Sequence, residues 1–305
     1  KIVLLIVSCL TTLAVAWQSF APGQGPFSHL SDEQFASQYL MKVEDEALQT
    51  PPAFDIDEFK TTFGENGFDW RNHSSLSHCV GKIRDQGHCG SCWAQSTTEF
   101  LSDRYCIQHN GSSTVTFAPQ FMVDCANKTW EAEGCDGAET QTILTWLENY
   151  GLVNESCYPY FSGTTQDEGQ CYNSTCPTGE ALVKYRAQEG STKLYFNYTN
   201  VDIARDIQEN GPLYFSMVVF GDFKAYRGGV YHPVNYTSLG THAVKCLGWD
   251  YDEPSASYYW ICANSWNTTW GESGFFRIGF NDFIGYKAGS TKIDGRSFLA
   301  SFFTS

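Results

Sequence analysis

The run Gln86-Gly87-His88-Cys89-Gly90-Ser91-Cys92-Trp93 puts a thiol where a glycine-containing turn gives way to a long helical pattern, with a carboxamide six residues upstream. At a helix N-terminus a sulfur faces unpaired backbone N–H groups and the positive end of the macrodipole, which favours thiolate over thiol. Gln86 is then positioned to donate to a developing oxyanion. Such a nucleophile needs a proton acceptor, and seven histidines compete for the role. His242 stands apart because it lies in Gly240-Thr241-His242-Ala243-Val244, a buried-looking strand where an imidazole is costly without a partner. The next strand pattern ends in Ala263-Asn264-Ser265-Trp266, so Asn264 can accept from one ring nitrogen while Trp266 keeps water off the bond. Taken alone, either motif reads more readily as a satisfied core histidine or a turn asparagine; together they suit nucleophilic catalysis. Cys89 and Cys92 also have the Cys-x-x-Cys spacing of a thiol–disulfide oxidoreductase, although no βαβ pattern precedes them and Trp93 follows the pair.

Holding these groups together takes a large fold, and 305 residues suffice for two lobes. The spacing of Trp93, Phe100, Leu101, Tyr105 and Ile107 predicts a helix over 91–109, closed by Asn110-Gly111 as a left-handed cap. Shorter helical patterns follow over 119–126 and 138–150. Beyond Pro177 strand patterns dominate, over 181–187, 213–220, 242–249, 258–265 and 275–280, with one helix over 201–209 that stops at Asn210-Gly211-Pro212. A helical first half and a strand-rich second half make an α+β chain with a cleft between lobes.

Lys1 is followed by apolar runs over 2–7 and 10–15 that close on Ala14-Val15-Ala16, so residues 1–16 read as a signal peptide. The run falls short of the roughly 20 residues a spanning helix needs, and no later stretch supplies a membrane anchor. Residues 17–62 hold no cysteine, whereas cysteines recur from Cys79 onward, which marks a separate leader. Within it His29-Leu30-Ser31-Asp32-Glu33-Gln34-Phe35 is a capped helix start, with Leu30, Phe35, Tyr39, Leu40 and Val43 as apolar positions and Pro51-Pro52 as the stop. Entry into the secretory pathway predicts disulfides, and 11 of the 12 cysteines lie beyond residue 16, an odd number that leaves a thiol over. Asn72, Asn110, Asn127, Asn154, Asn173, Asn197, Asn235 and Asn267 each open an Asn-x-Ser/Thr sequence and are candidate glycosylation sites. The formal charge of −15 argues against nucleic acid as a partner, since phosphate binding needs a positive field. It suits a secreted protein or one of a lysosome-like acidic vesicle, where protonated carboxylates repel less. No ligand-spaced cluster is left unclaimed, so neither a metal nor an organic cofactor is expected.

Several further motifs accompany the constellation: Phe68-Asp69-x-Arg71, Ile83-Arg84-Asp85-Gln86-Gly87, Ser102-Asp103-Arg104-x-Cys106-Ile107, Gly134-Cys135-Asp136-Gly137, Tyr158-Pro159-Tyr160, and Asn264-Ser265-Trp266-Asn267-Thr268-Thr269-Trp270-Gly271. From Phe68 to Phe280 this set resembles the papain family of cysteine proteases, and within it the cathepsin B group. The resemblance implies a papain-like two-lobed fold, with a helical first lobe mainly over 85–180, a β-barrel-like second lobe mainly over 181–300, and the active site in the cleft between them. It implies Cys92 as nucleophile, His242 as acid/base, Asn264 as its orienter and Gln86 with the Cys92 N–H as oxyanion hole. The pair is then expected to rest as thiolate–imidazolium and to hydrolyse peptide bonds through an acyl-enzyme. Gly137, Ala138, Thr241, Trp266 and Gly289 are expected to line the substrate cleft. The implied disulfides are Cys79–Cys106, Cys89–Cys135, Cys125–Cys171 and Cys157–Cys176; Cys246 and Cys262 are expected as buried thiols, with a fifth bridge as the alternative.

The chain departs from the group in places. Cathepsin B carries an occluding loop with two adjacent histidines that makes it a dipeptidyl carboxypeptidase, whereas the segment from Cys157 to Cys176 is short and has no histidine. This resembles protozoan cathepsin B-like enzymes without the loop and implies mainly endopeptidase activity; dipeptidyl carboxypeptidase activity is the alternative. Ala138 stands where the family has a second glycine, Gln95 replaces an aromatic residue, and Thr241 replaces a glycine before His242. Gly289 stands where a pocket-floor glutamate is usual, which implies an apolar preference at that subsite. The leader is similar to the short propeptide of the cathepsin B group, implying a zymogen whose mature part begins at residue 63. Partners are then protein or peptide substrates, the propeptide itself and cystatin-like inhibitors, and the enzyme is expected as a monomer.

Overall fold

The helical texture of the first half and the strand texture of the second resolve into two lobes that meet along one buried helix. The computed structural model describes residues 17–42, 54–126, 132–195 and 199–282, together with the backbone of Lys287–Ser290 and Ile293–Leu299. Along the first half run β1 (Gln18–Ser19), α1 (Asp32–Tyr39), α2 (Ile56–Phe63), β2 (Phe68–Asp69), α3 (Cys92–Gln108), α4 (Pro119–Cys125), α5 (Thr140–Asn149) and α6 (Ser162–Thr165). The second half holds β3 (Val183–Ala187), β4 (Lys193–Tyr195), α7 (Asn200–Asn210), β5 (Leu213–Phe220), β6 (Tyr226–Gly228), β7 (Val230–Tyr231), β8 (Ser238–Asp252), β9 (Ser257–Ala263), β10 (Phe275–Gly279), β11 (Lys287–Ser290) and β12 (Ile293–Leu299). The main sheet has the order β4-β11-β5-β8-β9-β10-β7, with β2 also paired to β8. The α+β papain-like class expected above is the one observed.

Every residue of β5 is buried, as its apolar run, broken only by Ser216, requires of a strand covered on both faces. β8 is longer than the expected 242–249 because Thr241 still pairs with Val218 of β5, and Asp250 to Asp252 still pair with β9. Polar residues there extend the ladder beyond the apolar signal that marks its centre. One hydrophobic cluster gathers α3, α4 and α5, including Phe100, Phe121, Leu144 and Trp146. The other fills the sheet side with Phe215, Trp249, Trp260 and Phe276.

Helix α3 is buried from Cys92 through Leu101 and again from Asp103 through Cys106, so its charged side chains must find partners inside the protein. Asp103 accepts from Lys245 Nζ of β8 at 2.7 Å and from the Gly81 N–H at 2.9 Å. Arg104 Nη2 reaches Asp206 of α7 at 3.1 Å and the Gly211 carbonyl at 3.0 Å, and its Nε donates to the Pro212 carbonyl at 2.6 Å. Gly211 has φ +108°, and a Cβ there would lie 2.9 Å from Arg104 Cγ, so the glycine of Asn210-Gly211-Pro212 lets the loop close over the guanidinium.

Disulfides join Cys79 to Cys106, Cys89 to Cys135, Cys125 to Cys171 and Cys157 to Cys176. The expectation of buried thiols at Cys246 and Cys262 is corrected: the two are register partners across β8 and β9, with Cα atoms 4.0 Å apart, and form a fifth bridge. Directly opposed residues of an antiparallel pair bring their Cβ atoms within reach of that bond. Among the described residues Cys92 is the free cysteine.

In the leader, Ser31 and Gln34 form a capping box that opens α1, as the sequence suggests. The helix ends at Tyr39, well before Pro51-Pro52, because Leu40 turns extended and Met41 pairs with Thr241 of β8. Val43, Pro51-Pro52 and residues 1–16 lie outside the described residues. Helix α2 was not expected; Asp55 caps it by accepting from the Asp57 and Glu58 N–H groups. Its Phe59 is fully buried against Trp249, Tyr258 and Phe280 of the second lobe. The expected leader boundary after Thr62 therefore falls in the last turn of a helix packed on the sheet. Ile56, Phe59 and Phe63 at helical spacing behind Asp55 are the signal that would have revealed it. Asn72, Asn110, Asn173, Asn235 and Asn267 are exposed and Asn154 is half-buried, whereas Asn127 and Asn197 lie outside the described residues. Among the described residues no helix is long and apolar enough to cross a membrane.

Replacing Asp103 by Ala leaves the Lys245 ammonium buried without its carboxylate. It should lower stability by about 3–5 kcal/mol, measured as a fall in the denaturant midpoint. A loss below about 1 kcal/mol would mean that water solvates the pair.

Candidate active site

The turn before α3 is held from several sides. The Gln86 N–H donates to the Ser265 carbonyl at 2.8 Å, and the Ser265 hydroxyl donates to Gln86 Oε1 at 2.8 Å. The latter bond orients the carboxamide, whose Nε2 donates to the Cys89 carbonyl at 2.9 Å and to the Tyr39 carbonyl of the leader at 3.0 Å. A Cβ on Gly90 would lie 2.2 Å from the Cys135 carbonyl oxygen, so glycine permits the close approach that the Cys89–Cys135 bridge holds in place. Cys92 is the first residue of α3, and the Trp93 indole N–H donates to the Gly134 carbonyl at 2.9 Å, locking the helix start in its orientation.

From the second lobe, the backbone N–H of Ala243 donates to Cys92 Sγ at 3.4 Å, which ties the strand bearing His242 to the helix start, while no hydrogen bond joins the ring to the sulfur. His242 Nε2 bonds Asn264 Oδ1 at 2.7 Å, and the Ser265 N–H donates to the same oxygen at 2.7 Å. The amide oxygen thus faces the ring, and Nε2 carries the hydrogen. The other ring nitrogen, Nδ1, has no hydrogen-bond partner among the described residues. The Trp266 ring centroid lies 4.5 Å from that of His242, so the indole covers the His242–Asn264 bond. Cys92, His242, Asn264 and Gln86 are all fully buried.

Burial pushes the Cys92 thiol up to about 12, although the N–H groups of Ala243, Trp93 and Cys92 favour the thiolate. Burial likewise holds His242 down at about 4, outweighing the Asn264 bond and the Tyr39 backbone. In this leader-covered chain burial thus disfavours the charged form of both groups and works against the expected thiolate–imidazolium pair.

The leader supplies the cover. After α1 it enters the cleft with the Met41 N–H donating to the Thr241 carbonyl at 2.9 Å and the Lys42 N–H donating to the Asp136 carbonyl at 2.8 Å. It thereby bridges the two lobes, and Lys42 Nζ adds an ion pair with Asp136 at 2.6 Å. Phe27 and Phe35 meet Trp266 edge-on at 5.5 and 5.1 Å, with Tyr39 beyond them at 6.5 Å. Gly137 has φ +122°, and a Cβ there would lie 2.8 Å from Met41 Cβ, so only glycine leaves room for a chain along the cleft. Met41, Cys92, Ala138, Tyr214 and Ala243 belong to one buried cluster.

Of the expected cleft residues, Gly137, Thr241 and Trp266 touch the leader directly, whereas Ala138 is buried behind Gly137 and bridges to Ala132. Gly289 sits within β11, opposite Tyr214 of β5 and Leu194 of β4. Ser265 and the Ala243 N–H were missed by sequence reasoning. Ser265 stands between two more conspicuous residues, and a backbone donor leaves no residue-type signal at all.

The family described as papain family cysteine protease matches residues 65–291 of this chain. A cathepsin B-like cysteine proteinase 1 of Ostertagia ostertagi is 34% identical over 79% of this chain and 74% of its own length. A cathepsin B-like protein, CP3, of Giardia intestinalis is 33% identical over 71% of this chain and 70% of its own. The solved structure of procathepsin B S9 from Trypanosoma congolense superposes with a TM-score of 0.75 at 26% identity, covering 91% of this chain and 93% of that one. With that match over most of its length, a buried sulfur at a helix start bonded by the strand that bears His242, and a leader laid across both lobes, the chain belongs to the papain family of cysteine proteases.

Proposed function

We propose that the protein is a zymogen of a cysteine endopeptidase in which Cys92 attacks the peptide carbonyl and His242 moves the protons. The observation that carries the reading is the Ala243 N–H bond to Cys92 Sγ, which ties the strand of His242 to the sulfur, with Asn264 bonded to His242 Nε2 and leaving Nδ1 free to take a proton. Once the cleft opens, water and substrate reach the pair, proton transfer from sulfur to imidazole becomes favourable, and the thiolate adds to the carbonyl. Gln86 Nε2 and the Cys92 N–H receive the oxyanion; the Tyr39 carbonyl that Gln86 now holds marks the place. His242 protonates the leaving amine, and water hydrolyses the acyl-enzyme. Cys89 is joined to Cys135, which favours this reading over a dithiol oxidoreductase.

The leader acts as inhibitor by occupying that donor and excluding water. The segment between Cys157 and Cys176 lacks the paired histidines of an occluding loop, which favours internal cleavage over release of C-terminal dipeptides. Met41, buried in the cluster beside Gly137, marks a subsite for apolar side chains. The five bridges suit a secreted or acidic-vesicle enzyme.

Cys92→Ala should abolish turnover of internally quenched peptides, and Gln86→Ala should lower kcat by about 10²–10³-fold. An epoxysuccinyl label mapped by mass spectrometry should fall on Cys92. Labelling elsewhere, or release of C-terminal dipeptides without internal cleavage, would overturn the corresponding part of the reading.

Acid should open the zymogen. In a Cys92→Ala chain, where no thiol can pass its proton to the ring, His242 is held at about 4 when covered, against 6.5 ordinarily, so the covered form binds fewer protons than the open one. This contribution to leader docking is complete above pH 6.5 and is lost as pH falls from 6.5 through 4, up to about 3 kcal/mol in all. Release of the leader in that variant should accelerate across that window; a rate independent of pH there would exclude His242 as the group responsible.

A further inference from the structure

The Tyr160 hydroxyl donates to the Gln86 carbonyl at 2.7 Å and shares a second 2.7 Å bond with Ser91 Oγ. These two partners bracket the turn that carries the oxyanion donors: Gln86 supplies the carboxamide, and Ser91 immediately precedes the Cys92 N–H. Ser91 is the N-cap of α3, yet its side chain caps nothing and is spent on Tyr160 instead. Burial pushes the phenol up to about 12, so it remains a donor through the neutral and acidic range.

The segment bearing Tyr160 is itself braced against the turn. The His88 N–H donates to the Gly163 carbonyl at 2.9 Å, and a Cβ on Gly163 would lie 2.6 Å from the Gln86 carbonyl oxygen. Behind it, Gln120 Oε1 accepts from the Phe161 and Ser162 N–H groups at 2.9 and 3.0 Å, and Gln120 Nε2 donates to Ser162 Oγ at 2.6 Å. A rigid side-chain clamp on α4 thus holds a loop whose one phenol ties both ends of the donor turn.

We propose that Tyr160 is a positioning residue for the oxyanion hole, acting through the Gln86 backbone and Ser91 on the two donors without touching substrate. The proposal rests on the assignment of Cys92 and Gln86 given above. A small error in the direction of preorganised donors weakens transition-state binding and leaves ground-state binding nearly intact.

In the acid-activated full chain, Tyr160→Phe should lower kcat by about tenfold with KM within about twofold, because one neutral hydrogen bond is lost from the support of the donors. The affinity of a peptide aldehyde, whose hemithioacetal oxygen uses the same donors, should fall by the same factor. Alkylation of Cys92 by iodoacetamide, which needs only the thiolate, should hold its rate. In a Gln86→Ala background the Tyr160→Phe change should cost much less than it does alone. Ser91→Ala supplies the same readings if Tyr160→Phe does not fold. Unchanged kcat and aldehyde affinity, or equal losses in turnover, aldehyde binding and alkylation, would overturn the positioning role. Absence of Cys92 labelling in the unsubstituted enzyme would instead strike the catalytic assignment.

Discussion

The structure depends on a charged helix that has been taken out of water between two lobes. Helix α3 carries Asp103 and Arg104 into the interior, and both find their partners on the sheet side, in Lys245 of β8 and in Asp206 with the loop after α7. Leaving any of these charges unpaired is far more costly than the pairing is favourable, so the contacts specify one register of helix against strand. Lys245 and Ala243 lie on the same strand, two residues apart, and alternate side chains of a strand face the same way. The pairing that satisfies Asp103 holds this strand in the register at which the Ala243 N–H also reaches the sulfur at the start of the same helix.

The burial that gives the site its geometry also decides its protonation. A helix N-terminus and three nearby N–H groups favour a thiolate at Cys92, yet the leader removes the solvent that would share the charge, and desolvation dominates. The leader contributes main-chain bonds to both lobes, a carbonyl to Gln86, and Phe27 and Phe35 to the Trp266 cluster. Because Trp266 also covers the His242–Asn264 bond, the surface that shields catalysis is the one that docks the leader. On the function proposed above, departure of the leader restores solvent at the pair and frees the oxyanion donor in a single event.

Much of this was legible in residue order because the signals are local. The apolar run of β5 and the capping box of α1 are written in neighbouring residues, and the observed elements begin where those signals stand. Helix α2 escaped because its three apolar positions lie in a short acidic stretch near an expected boundary, where composition drew attention away from periodicity. The end of α1 was misjudged for a different reason: Leu40 and Met41 are good helix residues, and only pairing of Met41 with Thr241, across 200 positions, makes them extended. For Cys246 and Cys262 the sequence left buried thiols and a fifth bridge both open, since register between two strands is a tertiary fact.

By itself, the sequence determined the chemistry available: a thiol at a helix start, an imidazole in a buried strand, an asparagine and a glutamine at turns, and a leader with its own helix signal. Residue type and local spacing suffice for that, because each is a property of a few consecutive side chains. The tertiary structure alone decided that the strand of His242 reaches the thiol, that Ser265 and Tyr160 bond Gln86, and that burial beneath the leader disfavours the thiolate. Distances across a cleft and the exclusion of water are set by packing between segments far apart in the chain, and no local pattern encodes them.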